Sequence, residues 1–299
     1  MKIGVDLGGS HIAIGVIDEN GKIIEKYEED LKDKNINNAL FFLIKFLEIN
    51  ITKIIKKYEI EAIGIATPGT PKEGKITSLV NLGIEEFDIT KVIKEICDLP
   101  IYIRNDAKCA AIAEKKYGSL KKYQDAVFMC LGTGIGGAVF VNNKLLIPKR
   151  NPGFELGHMI IEKNGHLCNC GKRGCFETYC SIKRFKNRII NELKLAKDIE
   201  PQKLILELEK RKNEENIKEI IEEYTDNLII GISNIIDIFE PEAICFGGSF
   251  IYFESILYER LVEKYYQKRY VFNKENMPKL TLAKLGNDAG IIGATEKSE

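Results

Sequence analysis

The sequence predicts an α/β protein of two domains, in which the same strand–turn–strand unit occurs twice. With 299 residues, the chain is long enough to form two hydrophobic cores. A glycine-rich turn joins two strand patterns at 2–17, and the same arrangement returns at 126–141. Such self-similarity about half a chain apart indicates two related halves. Helical and strand patterns follow each unit, as they do in α/β domains.

The first unit begins the chain with strand patterns at 2–7 and 12–17, and a third strand pattern follows at 22–27. Asp6 ends the first strand, and Gly8, Gly9 and Ser10 form the turn after it. Glycines allow a tight turn whose backbone N–H groups can face an anion, while Asp6 can supply a carboxylate to a metal–phosphate complex. Taken alone, two glycines in a hairpin are most simply a turn.

The second unit repeats this device, which favours a phosphate-binding role for both turns. Its first strand, 126–131, runs into Gly132, Thr133 and Gly134, and a strand pattern then continues to 141. Neither turn has the Gly-x₄-Gly-Lys-Ser/Thr pattern that a P-loop needs. A strand rather than a helix follows each turn, which excludes the Rossmann arrangement.

Between the two units, the apolar period at 38–58 predicts an amphipathic helix. A strand at 62–66 then runs into a loop that contains Gly69 between two prolines, where regular structure cannot continue. We expect a helix at 88–97, a strand at 101–104 and a helix at 107–117.

Asn105 and Asp106 lie where the strand at 101–104 gives way to the next helix. One interpretation makes Asp106 the N-cap of that helix, with Asn105 as a turn residue. The other makes Asp106 a partly buried carboxylate that accepts a proton from a substrate hydroxyl. The local sequence leaves both interpretations open.

The segment 153–177 carries a cysteine-rich loop, in which Cys168, Cys170 and Cys175 are spaced C-x-C-x₄-C among glycines. Thiolates this close suit a tetrahedral zinc site, and either His158 or His166 could supply the fourth ligand. The alternative is three reduced cysteines in a glycine-rich loop that holds no metal.

Two glutamates frame this loop, Glu155 just before His158 and Glu177 just after Cys175. Carboxylates beside a metal-bound histidine can accept hydrogen bonds from the vicinal hydroxyls of a sugar. For a single glutamate, a solvated surface position is the simpler expectation. The pair on either side of one cysteine loop favours a binding role.

The last third predicts helices at 181–196, 202–224, 226–239 and 255–266, strands at 242–246 and 279–283, and a short closing helix. The first two helices are charged and carry periodic Ile and Leu, which is typical of a solvated helix face rather than of a binding device. The third helix is more apolar, so we expect it to be more buried.

Composition excludes several classes of protein. Lys plus Arg and Asp plus Glu both count 44, so no net positive charge attracts nucleic acid or an anionic membrane. No stretch is long and apolar enough for a membrane span, and the N-terminus shows no signal peptide. We therefore expect a cytoplasmic protein whose other cysteines are reduced.

Six motifs, in this order, together resemble the ROK family, which groups bacterial sugar kinases with sugar-responsive repressors. They are Asp6-Leu7-Gly8-Gly9-Ser10, Asn105-Asp106-Ala107, the glycine-rich run 131–137, Glu155-Leu156-Gly157-His158, the cysteine motif with Glu177 at 168–177, and Phe246-Gly247-Gly248-Ser249. The match spans nearly the whole chain, and the cysteine motif is highly specific. Within the family, the chain is most similar to glucokinases.

The resemblance implies a role for each matching residue. It implies contacts to the phosphates of ATP by Asp6, Gly8, Gly9, Ser10, Gly132, Thr133 and Gly134, and adenosine contacts by Gly247 and Gly248. It implies that Asp106 is the catalytic base and that the sugar-binding residues are Asn105, Asp106, Glu155, His158, Glu177 and Gly69. It implies that the zinc ligands are His158, Cys168, Cys170 and Cys175, which leaves His166 as a neighbour.

The resemblance also implies a two-domain actin-like (ribonuclease H-like) ATPase fold with duplicated phosphate loops and a zinc-binding loop. The small N-terminal domain would comprise 1–106 and 286–299, and the large domain with the zinc site 107–285. The implied reaction is the ATP-dependent phosphorylation of a hexose, D-glucose to glucose 6-phosphate, with Mg²⁺ bound to ATP and with structural zinc. A homodimer or homotetramer is the implied assembly.

Three alternatives stay open beside a glucokinase. The first is a kinase for fructose, mannose, allose, N-acetylmannosamine or N-acetylglucosamine. Such kinases can share these motifs, because the shape of the pocket distinguishes sugars that differ in the orientation of one hydroxyl. The second is a sugar-responsive repressor, although we expect no helix-turn-helix before the strand that starts at residue 2. The third is a zinc module that binds a partner or nucleic acid, which the neutral charge disfavours. One departure from the family pattern, Arg104 in place of a familiar Glu, could change the charge around Asp106.

Overall fold

A computed structural model describes residues 1–8, 11–31, 36–69, 71, 74–79, 84–148, 154–267 and 276–296. By its internal contacts the chain divides into two compact units. Unit 1 comprises Met1–Lys121 and Asn287–Glu299, and unit 2 comprises Lys122–Gly286. Each unit therefore has its own sheet and its own core.

The strands in chain order are β1 (Lys2–Leu7), β2 (His11–Ile17), β3 (Ile23–Asp30), β4 (Ala62–Thr67), β5 (Ile76–Leu79), β6 (Ile84–Phe87), β7 (Ile101–Asn105), β8 (Ala126–Leu131), β9 (Ile135–Val141), β10 (Lys144–Leu145), β11 (Ala243–Gly247) and β12 (Lys279–Leu282). The helices are α1 (Ile36–Lys57), α2 (Ile89–Ile96), α3 (Asp106–Lys116), α4 (Glu177–Cys180), α5 (Ile182–Glu192), α6 (Pro201–Arg211), α7 (Glu215–Phe239), α8 (Glu259–Gln267) and α9 (Ala289–Ala294). Short 3₁₀ helices lie at Leu156–His158, Gly248–Phe253 and Gly286–Asp288.

The two large sheets have matching topologies. In unit 1 the strand order is β3-β2-β1-β4-β7, with β1 antiparallel to β2 and parallel to β4. In unit 2 the order is β10-β9-β8-β11-β12, with β8 antiparallel to β9 and parallel to β11. The hairpin β1–β2 thus occupies the place in its sheet that β8–β9 occupies in the other. The predicted duplication of the strand–turn–strand unit is confirmed.

Hydrophobic burial explains why the central strands and α1 form where the sequence predicted. Every residue of β4 is buried, as expected for a strand with a parallel neighbour on each side. On α1, Leu43, Leu47, Ile51 and Ile54 are buried at helical spacing and pack in the core of unit 1. Burying one such side chain contributes roughly 1.5–3 kcal/mol.

The closing helix α9 packs in unit 1 against β1, β4 and α3. Glycines permit this close approach, since a Cβ on Gly4 would lie 2.1 Å from the Ile291 carbonyl oxygen and one on Gly293 would lie 1.7 Å from that of Cys109. Because α3 packs on α9, it belongs to unit 1. We predicted a small domain that ends at Asp106, before α3. Compact units and domains are defined differently, and the domain boundaries stay a prediction.

The predicted break between the helices at 202–224 and 226–239 was wrong, because α6 ends at Arg211 and α7 begins at Glu215. A break was expected after Tyr224, yet α7 runs without interruption from Glu215 to Phe239. The hydroxyl of Thr225 donates to the Ile221 carbonyl oxygen at 2.8 Å, so this buried polar group is satisfied inside the helix. The predicted helix at 255–266 is confirmed as helical, and its first part is the π-helical segment Glu254–Tyr258 that precedes α8.

Across the ranges that the structure describes, we find no helix with both the length and the apolar composition to cross a bilayer. The longest helix, α7, has 25 residues and carries several charged side chains.

Candidate functional site

In unit 1, Asn105 and Asp106 lie where β7 ends and α3 begins. Asn105 is the N-cap of α3, and its side-chain oxygen accepts a hydrogen bond from the Lys108 N–H at 3.2 Å. The interpretation of Asp106 as the N-cap is therefore wrong, and Asp106 is the first residue of the helix. Asn105 Nδ2 also donates to the Gly69 carbonyl oxygen at 3.1 Å, so the loop after β4 is tied to the start of α3. Gly69 has a φ of +71°, which glycine adopts without strain.

Asp6 and Asp106 are two half-buried carboxylates of unit 1 that influence each other. Burial, and then the negative charge of Asp106, raises the pKa of Asp6 to about 7, while Lys26 acts in the opposite direction. Burial also raises the pKa of Asp106 above its ordinary value, although the Ala107 N–H partly offsets this. Both groups thus hold a proton more readily than an exposed aspartate does.

The first glycine turn is only partly described. Gly8 is half-buried, and its N–H donates to the His11 carbonyl oxygen at 2.9 Å across the base of the turn. Asp6 lies against the first turn of α9, where a Cβ on Gly290 would lie 2.3 Å from its Oδ2 atom. The predicted phosphate contacts Gly9 and Ser10 lie outside the described residues.

Arg104, which could change the charge around Asp106, bonds to the end of the closing helix. Its Nη1 atom donates to the carbonyl oxygens of Gly293 and Glu296, at 3.3 and 3.2 Å. These carbonyls lie at the C-terminal end of α9, where a positive charge is favourable. Arg104 therefore stabilises the closing helix.

In unit 2, the predicted nucleotide residues come together at the ends of β8 and β11. Gly247 pairs with Cys130 across these strands, and a Cβ on Gly248 would lie 2.7 Å from the Leu131 carbonyl oxygen. Leu131 directly precedes the loop of Gly132, Thr133 and Gly134, which the Gly132 N–H closes by donating to the Gly134 carbonyl oxygen at 2.9 Å. Thr133 is exposed. The two glycine segments thus form one edge of the sheet.

The four predicted metal ligands also lie together in unit 2. The ligand atoms of His158, Cys168, Cys170 and Cys175 all lie within 4.8 Å of one another. Cys168 Sγ is 3.6 Å from His158 Nδ1, and Cys170 Sγ is 3.6 Å from Cys175 Sγ. A tetrahedral zinc ion, with bonds of about 2.3 Å to sulfur and about 2.0 Å to nitrogen, holds its ligand atoms about 3.5–3.8 Å apart. The donor set and its spacing fit a four-coordinate zinc ion.

Glycines shape the loop that carries these ligands. Gly171 and Gly174 have φ values of +86° and +79°, where side-chain-bearing residues are strained. A Cβ on Gly174 would also lie 1.7 Å from the Glu162 carbonyl oxygen. The Cys168 N–H donates to the Lys172 carbonyl oxygen at 2.8 Å, which closes a tight turn. The chain therefore folds back on itself and directs the cysteine sulfurs toward one point.

The thiols of this cluster differ in acidity. Burial raises the pKa of Cys168 to about 12 and also raises that of Cys175, whereas the Lys172 backbone N–H lowers the pKa of Cys170. Because a metal ion binds thiolates, its binding must displace the thiol protons. Metal affinity should therefore rise with pH.

The two candidate histidines differ in their position relative to the metal cluster, and so do the two glutamates. His166 stacks on Tyr179, with ring centroids 4.8 Å apart, and it is not a member of the metal cluster. Glu155 is exposed, and it makes no side-chain cap to the 3₁₀ helix that ends in His158. Glu177 begins α4, and its Oε1 atom lies 3.1 Å from Cys168 Sγ and 3.6 Å from His158 Nδ1.

Helix α5 begins beside the second glycine loop, a contact that was not predicted from the sequence. The Lys183 N–H donates to the Gly132 carbonyl oxygen at 3.1 Å. A cavity of about 250 Å³ is lined by Gly132, Thr133, Ser249 and the lysines Lys183, Lys186 and Lys197. We predicted a solvated face for this helix, because a charged helix pattern does not reveal which loop lies beside it. The one local signal was Ser181, the N-cap of α5.

The motifs, the paired sheets and the metal cluster agree with a comparison against protein families, in which the ROK family model matches residues 2–296. The chain belongs to the ROK family. It has the family's two-domain actin-like (ribonuclease H-like) fold, which confirms the predicted fold class.

Among its relatives, the chain is similar to enzymes and to a repressor at nearly equal identity. It is 28% identical to a glucokinase of Thermotoga maritima, covering 98% of this chain and 95% of that protein. It is 28% identical to an N-acetylmannosamine kinase of Haemophilus influenzae, covering 98% and 93%. It is 26% identical to a xylose repressor of Caldicellulosiruptor bescii, covering 97% of this chain and 76% of that protein.

A solved structure shows the same likeness. The crystal structure of a ROK family glucokinase from Streptomyces griseus, in complex with glucose and AMPPNP, superposes with a TM-score of 0.76. The two sequences are 25% identical, and the alignment covers 98% of this chain and 97% of that one.

Proposed function

We propose that this protein is an ATP-dependent hexose kinase and that it converts D-glucose to glucose 6-phosphate. The observation that carries the proposal is the ROK family match over residues 2–296, together with kinase relatives that align over nearly their whole length. A partly buried Asp106 that does not serve as the helix cap supports it, because such a carboxylate is available to accept a proton.

In the proposed reaction, a sugar hydroxyl, the 6-hydroxyl of glucose, attacks the γ-phosphorus of Mg-ATP in line. The bond between that phosphorus and the β–γ bridging oxygen breaks, ADP leaves, and Asp106 takes the hydroxyl proton. The pKa of Asp106 is raised, which brings it closer to the working pH, and a base transfers protons most efficiently when its pKa lies near that pH. Most of the acceleration would come from positioning and from charge neutralisation around the phosphates.

The other predicted residues have binding roles in this proposal. Asn105, Gly69, Glu155, His158 and Glu177 would hold the sugar. Residues that would contact the nucleotide are Asp6, Gly8, Gly9, Ser10, Gly132, Thr133, Gly134, Gly247 and Gly248. The Lys183 N–H bond to the glycine loop supports an added part for the start of α5 in holding that loop.

The metal cluster would hold structural zinc. Zinc bound there would fix the cysteine loop and the ring of His158, with three thiolates and one imidazole as its ligands. Four protein ligands leave no open position on the ion, so the cluster would take no part in activating water.

Substitution of Asp106 by Asn tests the mechanism. Asp106→Asn keeps the size of the side chain and removes its basicity, so we expect turnover to fall about 100-fold or more. Glucose affinity, measured by calorimetry, should change little. Asp98→Asn changes an exposed carboxylate of unit 1 and serves as the matched control. Undiminished ATP-dependent turnover by Asp106→Asn, in a coupled ADP-release assay, would show that Asp106 is not the base.

A different sugar is the second candidate, because the N-acetylmannosamine kinase relative is as similar as the glucokinase. An ADP-release screen over glucose, fructose, mannose, allose, N-acetylmannosamine and N-acetylglucosamine separates these substrates. Glucose as the sugar with the highest kcat/KM would support the proposal.

The similarity to a xylose repressor favours one further control, retention on a DNA column. Retention without sugar-dependent ADP release would favour a regulator. The predicted homodimer or homotetramer stays a prediction.

A further inference from the structure

Glu177 contacts two parts of unit 2 with the two oxygens of one carboxylate. Its Oε1 atom lies 3.1 Å from Cys168 Sγ and 3.6 Å from His158 Nδ1, both members of the metal cluster. Its Oε2 atom faces the second glycine loop, since a Cβ on Gly134 would lie 2.6 Å from it. A single side chain therefore lies between the metal cluster and the predicted nucleotide loop.

A second contact joins the same two parts. The 3₁₀ helix Leu156–His158, which ends in a predicted metal ligand, packs on β9, the strand that follows the glycine loop. A Cβ on Gly157 would lie 2.4 Å from the Ile135 carbonyl oxygen, and a Cβ on Gly137 would lie 2.6 Å from Leu156 Cδ1. The helix and the strand thus lie in direct contact, with glycine at both positions where a side chain would prevent it.

The backbone around Cys175 determines where Glu177 lies. The Phe176 N–H donates to the Met159 carbonyl oxygen at 2.8 Å. The Thr178 N–H and hydroxyl both donate to the Cys175 carbonyl oxygen, at 2.9 and 2.7 Å. Since Glu177 lies two residues after Cys175 in this bonded segment, any force that holds Cys175 also holds Glu177.

Two backbone hydrogen bonds hold the glycine loop, from the Lys183 N–H to the Gly132 oxygen and from the Gly132 N–H to the Gly134 oxygen, but part of the loop is open. A Cβ on Gly132 would find no atom within 4 Å, and Thr133 is exposed. A glycine-rich loop has more backbone freedom to lose on binding than other loops, and that loss weakens affinity. A side chain that already restricts the loop at Gly134 reduces this loss.

We propose that Glu177 is a positioning residue for the nucleotide loop, so that occupancy of the metal cluster and affinity for the nucleotide are coupled. This inference rests on the proposed function, in which Gly132, Thr133 and Gly134 hold the donor phosphates and the cluster holds zinc. It adds to the sugar-binding role of Glu177 a second role that operates without sugar. Because coupling between two binding sites is reciprocal, the nucleotide must also tighten the binding of zinc by the same factor.

The first test measures ADP affinity by calorimetry, with the zinc-loaded protein and no sugar present. Glu177→Ala removes the side chain that restricts Gly134, so we expect ADP to bind about five-fold more weakly or worse. Glu177→Gln keeps the shape of the side chain and should bind ADP within about two-fold of the wild type. Glu162→Ala removes an exposed glutamate near the cysteine loop that has no role in the proposed site, and it should leave the ADP affinity unchanged. Wild-type ADP affinity in Glu177→Ala overturns the proposal.

The second test measures zinc affinity by equilibrium competition with a coloured chelator, with and without ADP. ADP should tighten zinc binding by the wild type several-fold and have little effect on Glu177→Ala. Equal tightening in both proteins would show that the coupling does not pass through Glu177. If the wild type binds no ADP, or holds no zinc after purification, the proposed function itself is contradicted. If the wild type binds both and Glu177→Ala binds ADP normally, only the present inference is contradicted.

Discussion

At the scale of single residues, the position of Asp6 in the fold raises its pKa, so it keeps its proton to a higher pH than an exposed aspartate does. Burial and the nearby charge of Asp106 raise its pKa from 3.8 to about 7. Between those two pH values the folded chain keeps a proton that the unfolded chain has released. The stability of the folded state must therefore fall as pH rises through this window. The same carboxylate would become a better partner for a metal–phosphate complex as it ionises.

Replacement of Asp6 by Asn tests this pH dependence. Asn keeps the shape of the side chain and carries no charge at any of these pH values. We expect Asp6→Asn to be more stable than the wild type at pH 8 by roughly 1–3 kcal/mol, and nearly equal to it at pH 4. Urea unfolding at both pH values, without nucleotide, measures the difference. An equal difference at both pH values would mean that Asp6 ionises normally in the folded protein.

Arg104, which departs from the family pattern, bonds to residues far from it in the sequence. Beside Asp106 in sequence, it was expected to change the charge around that carboxylate. In the structure its guanidinium donates to two carbonyl oxygens at the end of α9. Those oxygens come from residues near the end of the chain, so no local pattern around Arg104 identifies them.

At the scale of elements, α9 approaches both α3 and β4 so closely that only glycine fits at the points of contact. A Cβ on Gly293 would lie 1.7 Å from the Cys109 carbonyl oxygen, and one on Gly64 would lie 1.9 Å from the Ala294 carbonyl oxygen. Backbone atoms cannot rotate away as a side chain can, so an added methyl group must displace the helix. The attachment of α9 to unit 1 depends on these glycines.

Gly293→Ala should therefore destabilise unit 1, although alanine favours a helix more than glycine does. We expect a loss of roughly 2–4 kcal/mol in the free energy of unfolding, because the overlap is with backbone. Gly132→Ala is a suitable control, since its Cβ would meet no atom within 4 Å. Thermal unfolding of both variants gives the comparison. Equal stability of Gly293→Ala and the wild type would contradict the observed packing of α9.

Helix α7 shows that an element's length can depend on its surroundings. Its sequence changes from charged to apolar near Tyr224, which is why we predicted two helices. In the structure Tyr224, Thr225 and Leu228 are all buried, and Tyr224 OH donates to the Cys180 carbonyl oxygen at 2.7 Å. Burial on both sides of the predicted break keeps the helix continuous.

At the scale of the whole molecule, the metal cluster joins a 3₁₀ helix to a loop that has little apolar burial of its own. Cys168 and Cys175 are buried, but Cys170 is exposed and Leu167 is 60% exposed. A bound zinc ion would contribute binding free energy to the folding of this segment. Loss of the ion should therefore act on unit 2.

Removal of the metal tests this expectation. We expect the purified protein to hold one zinc ion per chain by elemental analysis, and Cys170→Ser to hold much less. A strong chelator should lower the melting temperature of the wild type by several degrees, since the ion binds only the folded loop. Cys97→Ser changes a cysteine of unit 1 outside the cluster and should keep both the zinc and the melting temperature. Full zinc content in Cys170→Ser would remove Cys170 from the ligand set.

Much of the fold and the site could be predicted, for identifiable physical reasons. The bounds of β1 and β8 agree with the predicted strands, because alternating and continuous apolar patterns are local signals. The metal cluster could be predicted because its cysteines are close in sequence. The fourth ligand could not be chosen from spacing, since His166 is nearer to Cys168 in sequence than His158 is. Only the resemblance to the family favoured His158.

By itself, the sequence determined the repeated strand–turn–strand units, the glycine turns and the cysteine loop. Each single unit, turn or loop is a continuous stretch of the chain, so a local pattern is enough to identify it. Only the tertiary structure decided that Arg104 bonds to α9, that α3 packs with the closing helix, and that Glu177 lies against Gly134. These contacts join residues that are far apart in the chain, and their geometry depends on how whole elements pack, which no local pattern contains.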